Sequence, residues 1–225
     1  MGQSPAAQLA MPAAASATEE RRIIAPYITT WSAEQDLPYR VVERPGVGVG
    51  FSDEMLGDRD SHGVLWHRAA VRHGVGRPEF GKVHPLRQRR AMRKLLCQVC
   101  AGPADKADAG VLWLMRDYRG DWPRWPEGMA SVEPPTCASC VALSLRLCPA
   151  LRRGAVAVRV RSFEVAGVRG ALYRRGPIAP VAVEAANLSY DDPDVRWLVA
   201  SALIRELRDC VIVPFEEVAD AARLA

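Results

Sequence analysis

Long apolar runs are missing from this chain of 225 residues, although 49% of its residues are hydrophobic. No stretch approaches the roughly 20 apolar residues that a membrane-spanning helix needs. The first twenty residues also lack the basic start and apolar run of a secretory signal. These absences predict a globular protein with no membrane partner. We expect it in the cytoplasm, where thiols stay reduced.

Histidine and recognisable catalytic motifs are also scarce. The chain has 4 histidines, and none of them follows His84. It contains no phosphate-binding glycine loop, no catalytic triad and no complete metalloenzyme motif. No motif therefore indicates an enzyme class, and the sequence leaves open whether the protein is an enzyme.

Cysteine provides the strongest positive signal. Two of the 6 cysteines form the pair Cys97 and Cys100, and two more form the pair Cys137 and Cys140. Two residues between thiolates allow both sulfurs to reach one ion, and four soft thiolates suit tetrahedral Zn²⁺. We predict a zinc site with these four ligands. A dithiol redox role and buried, inert cysteines are the alternatives.

A first cysteine pair on a knuckle, a predicted hairpin and a second pair opening a helix resemble the treble-clef zinc domains, a class of zinc finger. The resemblance covers Cys97 to Cys148. Treble clefs include the HNH nucleases, which need a histidine base between the cysteine pairs. None is present here, so no nuclease residue is assigned. Residues 76–100 and 134–140 also resemble stretches of uncharacterised actinobacterial proteins, a likeness that implies no activity.

Apolar periodicity and the positions of Pro and Gly predict an α+β fold, and the resemblance implies a treble-clef-like zinc module at its centre. Small β-rich segments are expected on its flanks. Asp192 and Pro193 are a helix-start signal, and apolar residues at four-residue steps follow them, so we predict a helix over 191–208 within a C-terminal strand–helix–strand unit. The predicted organisation is a disordered tail over 1–22, a β-rich part over 23–96 ending in a basic helix, the zinc module over 97–150 and an αβ part over 151–225.

Positive charge is concentrated just before the first cysteine pair. From Arg68 to Lys94 there are nine basic residues and a single acidic one, Glu79. Helix formers without a breaker over 86–96 predict that most of this charge lies on one helix. Such a helix can contact phosphates or an acidic protein. The candidate nucleic-acid-binding residues are Arg87, Arg89, Arg90, Arg93 and Lys94.

We therefore expect a zinc-stabilised, non-enzymatic protein that binds nucleic acid or an acidic partner through the basic helix. Two alternatives stay open. The first is an enzyme whose site lies in residues 58–67, since Asp58, Asp60 and His62 would project to one face of an extended segment close to His67. The second is an adaptor held by protein partners.

Overall fold

The computed structural model describes residues 24–224. The tail predicted to be disordered over 1–22 lies outside these residues. The helices within them are α1 (Pro85–Lys94), α2 (Ala138–Leu147) and α3 (Phe215–Leu224), and none is long and apolar enough to cross a membrane. The strands are β1 (Thr29–Trp31), β2 (Val41–Arg44), β3 (Gly48–Phe51), β4 (Leu65–Trp66), β5 (Pro78–Val83), β6 (Lys106–Ala107), β7 (Gly110–Arg116), β8 (Met129–Ser131), β9 (Ala155–Ser162), β10 (Val165–Arg174), β11 (Val181–Ser189) and β12 (Leu198–Val213).

An eight-stranded sheet organises the molecule around its longest strand, β12. The first part of β12 pairs with β10, β4 and β8, and its last part pairs with β9. Strand β11 lies beside β10, and the hairpin of β6 and β7 lies beside β9. Two small sheets, β1 with β5 and β2 with β3, complete the N-terminal part. The α+β class is therefore correct.

The predicted zinc module, residues 97–150, contributes strands to the central sheet. Strand β7 pairs with β9, and β8 pairs with β12. Helices α2 and α3 pack over β7 and β9 through a cluster that includes Leu112, Ala138, Val141 and Val218. The other face of these strands buries Trp113. The cysteine-bearing segment thus shares its core with the C-terminal strands.

The helix predicted over 191–208 is wrong. Asp192 does act as a cap, accepting a hydrogen bond from the backbone N–H of Asp194, but only a short 3₁₀ helix, Pro193–Trp197, follows. The chain then continues as β12. Its residues from Leu198 to Leu207 are nearly all buried because both faces of this part are covered: Leu198 and Ala200 pack in one core cluster and Val199 packs in another. Such a central strand has a continuous apolar run, which periodicity alone does not distinguish from a helix.

Hydrogen bonds from two buried polar side chains connect helix α1 to β12. The Gln88 amide donates to the carbonyl of Leu203 at 2.9 Å, and its oxygen accepts from the Leu203 N–H at 3.0 Å. The Arg205 guanidinium donates to the carbonyl of Met92 at 2.7 Å, near the end of α1 where carbonyls lack helical partners. These bonds fix which face of α1 is left toward solvent.

Candidate functional site

The four paired cysteines converge in space. The Sγ atoms of Cys97, Cys100, Cys137 and Cys140 all lie within 4.8 Å of one another. Within residues 24–224 this is the only group of three or more His, Cys, Asp or Glu side chains placed to hold one metal ion. All six cysteines carry free thiols.

The first pair lies on a tight turn directly after α1. The helix ends at Lys94, and Leu95 adopts a left-handed conformation with φ of 50°. The Cys97 N–H then donates to the carbonyl of Gly102 at 2.7 Å, and the Ala101 N–H donates to the carbonyl of Cys97 at 3.0 Å. This turn directs the Val99 N–H toward sulfur, and the Val99 nitrogen lies 3.4 Å from the Cys97 Sγ.

The second pair opens α2. Cys137 is the N-cap residue, and Cys140 lies in the first turn with its N–H donating to the carbonyl of Cys137 at 3.1 Å. Free N–H groups and the helix dipole at this end stabilise negative charge on sulfur. The predicted placement of the second pair at a helix N-terminus is confirmed.

Residues 135–136 connect the two pairs. The Gln98 N–H donates to the carbonyl of Pro135 at 3.0 Å, and the Thr136 N–H donates to the carbonyl of Leu112 in β7 at 2.9 Å. The buried Thr136 hydroxyl lies 3.7 Å from the Cys97 Sγ. These backbone hydrogen bonds hold the turn of the first cysteine pair against the segment that leads into the second pair.

The thiols differ in how easily they ionise. Burial raises the pKa of Cys97, but the N–H groups of Cys100, Cys137 and Val99 outweigh burial and bring that pKa to about 7. Burial raises the pKa values of Cys100 and Cys140, and the neighbouring sulfurs add to the rise. Four thiolates so close together repel one another, and a divalent cation at their centre removes that repulsion.

The sulfur spacing distinguishes between metal binding and a disulfide. Four sulfurs at about 2.3 Å from one ion, in a tetrahedron, lie about 3.8 Å from one another. The Sγ atoms of Cys100 and Cys137 are 3.7 Å apart. A disulfide needs about 2.05 Å. The donor set and its spacing therefore fit a metal ion of the kind bound by thiolates.

The prediction that all five basic residues of α1 form one binding surface is wrong for Arg87. It is buried, and its guanidinium forms an ion pair with Glu34 while donating to the backbone carbonyls of Tyr27 and Thr29. With its donors committed to this interior network, Arg87 has no free face for a phosphate. Its role is to hold the N-terminal segment against α1.

The other four basic residues of α1 occupy its outer side. Arg90, Arg93 and Lys94 are exposed, and Arg89 is half-buried with its guanidinium 4.2 Å above the ring of Trp66. None of the four makes an ion pair within residues 24–224. We call Arg89, Arg90, Arg93 and Lys94 the basic face. It contains two like-charge pairs at four-residue spacing, which weaken a helix slightly unless an anion binds there.

The four Asp and His residues of segment 58–67 do not converge on a shared site. Asp58 is buried and paired with Arg68, whose Nε lies 2.9 Å from a carboxylate oxygen. The imidazole of His67 bridges the hydroxyl of Tyr39 and the carboxylate of Asp36, both at 2.8 Å. These two residues are thus committed to separate structural contacts.

Asp60 and His62 also have partners of their own. The Asp60 carboxylate accepts from the N–H groups of His62 and Val64 and from the indole of Trp66. The exposed His62 ring stacks on Tyr190. Asp60 thus closes a turn, and among the described residues this segment does not form the shared site that the enzyme alternative requires.

Sequence reasoning missed a buried polar cluster beside a cleft of about 650 Å³. Glu34 lies in it, and although burial raises the pKa of this carboxyl, bonds from Arg87 and from the Trp31 N–H lower it to about 2. The fully buried His84 donates through Nε2 to the carbonyl of Ala70. Because Glu34 and Arg87 are 53 residues apart, no local pattern could have indicated the pair.

Comparisons with known proteins were negative. No family model matches the chain, and neither the curated proteins nor the solved structures contain a match. The actinobacterial resemblance therefore gains no support from them. The site must be interpreted from its own geometry.

Proposed function

We propose that the four cysteines bind one Zn²⁺ ion and that this ion has a structural role. Two observations support the proposal: the donor set is four thiols, and their sulfurs lie within 4.8 Å of one another, with those of Cys100 and Cys137 at 3.7 Å, close to the spacing in a tetrahedral complex. Four protein ligands leave no open coordination position, so the ion would hold the fold together and activate no water. A reducing compartment such as the cytoplasm would keep the thiols available.

We also propose that the zinc module is treble-clef-like. The order of its parts supports this: a knuckle at Cys97 to Cys100, the hairpin of β6 and β7, and a second pair at the start of α2. The module differs from a free-standing finger because β7 continues into the central sheet. Zinc would thereby fix the end of α1 relative to that sheet.

The basic face of α1 is the proposed binding surface, and its proposed partner is nucleic acid. The observation that carries this proposal is the set of four basic side chains within two helical turns, none of them paired with an acid in the described chain. The dipole of α1 favours Arg93 and Lys94 at its last turn, which offsets part of their repulsion. A phosphate backbone would neutralise the remainder.

Fluorescence anisotropy with labelled oligonucleotides tests this binding. Three phosphate contacts predict a slope of roughly −2 to −3 for log affinity against log salt concentration. The triple variant Arg90→Glu, Arg93→Glu, Lys94→Glu should lose binding at moderate salt.

A matched control reverses the same number of exposed charges at the end of α2 and just after it, in Arg146→Glu, Arg152→Glu, Arg153→Glu. Retained affinity in this control together with loss in the α1 variant supports the proposal. Equal loss in both would indicate nonspecific attraction and contradict the assigned face.

A further inference from the structure

Two stacked rings lie beside the basic face. The exposed imidazole of His62 packs on the ring of Tyr190, with centroids 3.9 Å apart and planes inclined by 20°. The Tyr190 hydroxyl donates to the Asp60 carboxylate at 3.3 Å, which holds the tyrosine ring in place. Since Tyr190 covers one face of the imidazole, the opposite face is the one left toward solvent.

A chain of contacts connects the ring pair to Arg89 of the basic face. The Asp60 oxygen that accepts from Tyr190 also accepts from the indole N–H of Trp66 at 3.0 Å, and Arg89 lies over that indole. Burial and Asp60 raise the pKa of Tyr190 to about 12, while Arg93 and Arg89 oppose the rise. The contacts through Trp66 and Asp60 thus place the ring pair next to Arg89 of the basic face.

An exposed ring next to a row of cations is suited to an unpaired base. Proteins that bind single strands combine a positive track for the backbone with aromatic rings on which bases stack. A duplex offers the same phosphates, but its bases are already stacked on one another. The ring pair adds nothing to duplex binding.

We infer that the nucleic acid bound by this protein is single-stranded and that one base stacks on the outer face of His62. The inference rests on the proposed function, because it assigns a substrate class to the same surface. The basic face holds the backbone, and Tyr190 keeps the imidazole flat against the base.

The test compares a short labelled oligothymidylate with a duplex of equal length, using anisotropy at fixed salt. His62→Ala should weaken binding of the single strand by roughly 5- to 150-fold and leave duplex binding within about twofold. His62→Trp, which offers a larger ring, should restore single-strand affinity. His73→Ala is the matched control, since His73 is also exposed but contacts Tyr27 and Trp31.

The outcomes separate this inference from the proposed function. If His62→Ala binds the single strand as the wild type does while the triple α1 variant does not, the stacking inference fails and the proposed function stands. If the wild type binds neither oligonucleotide, both fail. Binding to polyglutamate as tight as that to the oligothymidylate would favour an acidic protein and overturn the inference.

Discussion

Two segments of this chain carry clusters of metal-ligating residue types, and only one of them assembles. The cysteines of 97–140 bring four sulfurs within 4.8 Å of one another. The Asp and His side chains of 58–67 instead end in separate contacts with Arg68, Trp66, Tyr190 and Tyr39. Both segments contain residue types that can bind a metal ion.

The difference lies in what else each side chain can bind. A thiol is a weak hydrogen-bond partner, so protein groups compete little with a metal for it. A carboxylate is a strong acceptor and readily takes N–H groups or a guanidinium. Asp58 and Asp60 are satisfied by the fold, whereas the four thiols gain a strong partner only from a cation.

Loss of one cysteine should have the largest effect. Cys97→Ser removes a ligand that also connects the knuckle to Thr136. We expect zinc content to fall to near zero and the free energy of unfolding to drop by on the order of 5 kcal/mol. Elemental analysis and denaturant titration measure the two quantities.

Cys148→Ser is the control for this change, since Cys148 follows α2 but lies outside the four-sulfur group. It should keep its zinc. Full zinc content in Cys97→Ser would contradict the claim that the four cysteines form the metal site.

Removing the charge of Asp58 should cost stability without affecting the metal. Asp58→Asn keeps an acceptor for the Met55 N–H but weakens the buried pair with Arg68, which retains Asp53 as a partner. We expect a loss of about 2 kcal/mol in urea titrations and unchanged zinc content. Zinc loss in this variant would indicate that the two segments are coupled.

The stability difference between wild type and Asp58→Asn should depend on pH. Bonds from Arg68 outweigh burial and hold the pKa of Asp58 below its usual 3.8. A carboxyl with a depressed pKa stabilises the fold above its unfolded pKa, and this contribution is lost as pH falls through the folded value. The difference should be constant above about pH 5 and shrink below 3.8.

Acid release of zinc affects both proteins and cancels in this difference. A gap that stays constant in folded protein well below pH 3.8 would mean that the Asp58 charge contributes nothing.

The smallest effect is expected at His67. Replacing it in His67→Phe breaks the bonds to Tyr39 and Asp36, of which Asp36 is largely exposed. We expect about 1 kcal/mol of destabilisation and no change in metal content, measured by thermal unfolding. A loss of zinc in this variant would instead indicate that the Asp/His segment contributes to the metal site.

Local patterns predicted the elements whose signals are local. The spacing within each cysteine pair and the breaker-free helix before Cys97 were both predictable from the sequence. Strand β12 was not, because burial on both faces removes the alternation that marks a strand.

Side-chain contacts between residues far apart in the sequence could not be predicted either. Arg87 and Arg90 look alike in the sequence, and only the fold places one against Glu34 and the other in solvent. Whether a basic residue of α1 can bind a partner therefore depends on the face of the helix on which it lies. The hydrogen bonds of Gln88 and Arg205 between α1 and β12 determine which face is exposed.

X-ray absorption at the zinc edge, together with metal analysis of the purified chain, tests the central claim most directly. The account predicts one zinc per chain with four sulfur neighbours at about 2.3 Å. Protein that is folded without zinc, or zinc whose neighbours are nitrogen or oxygen, would contradict it.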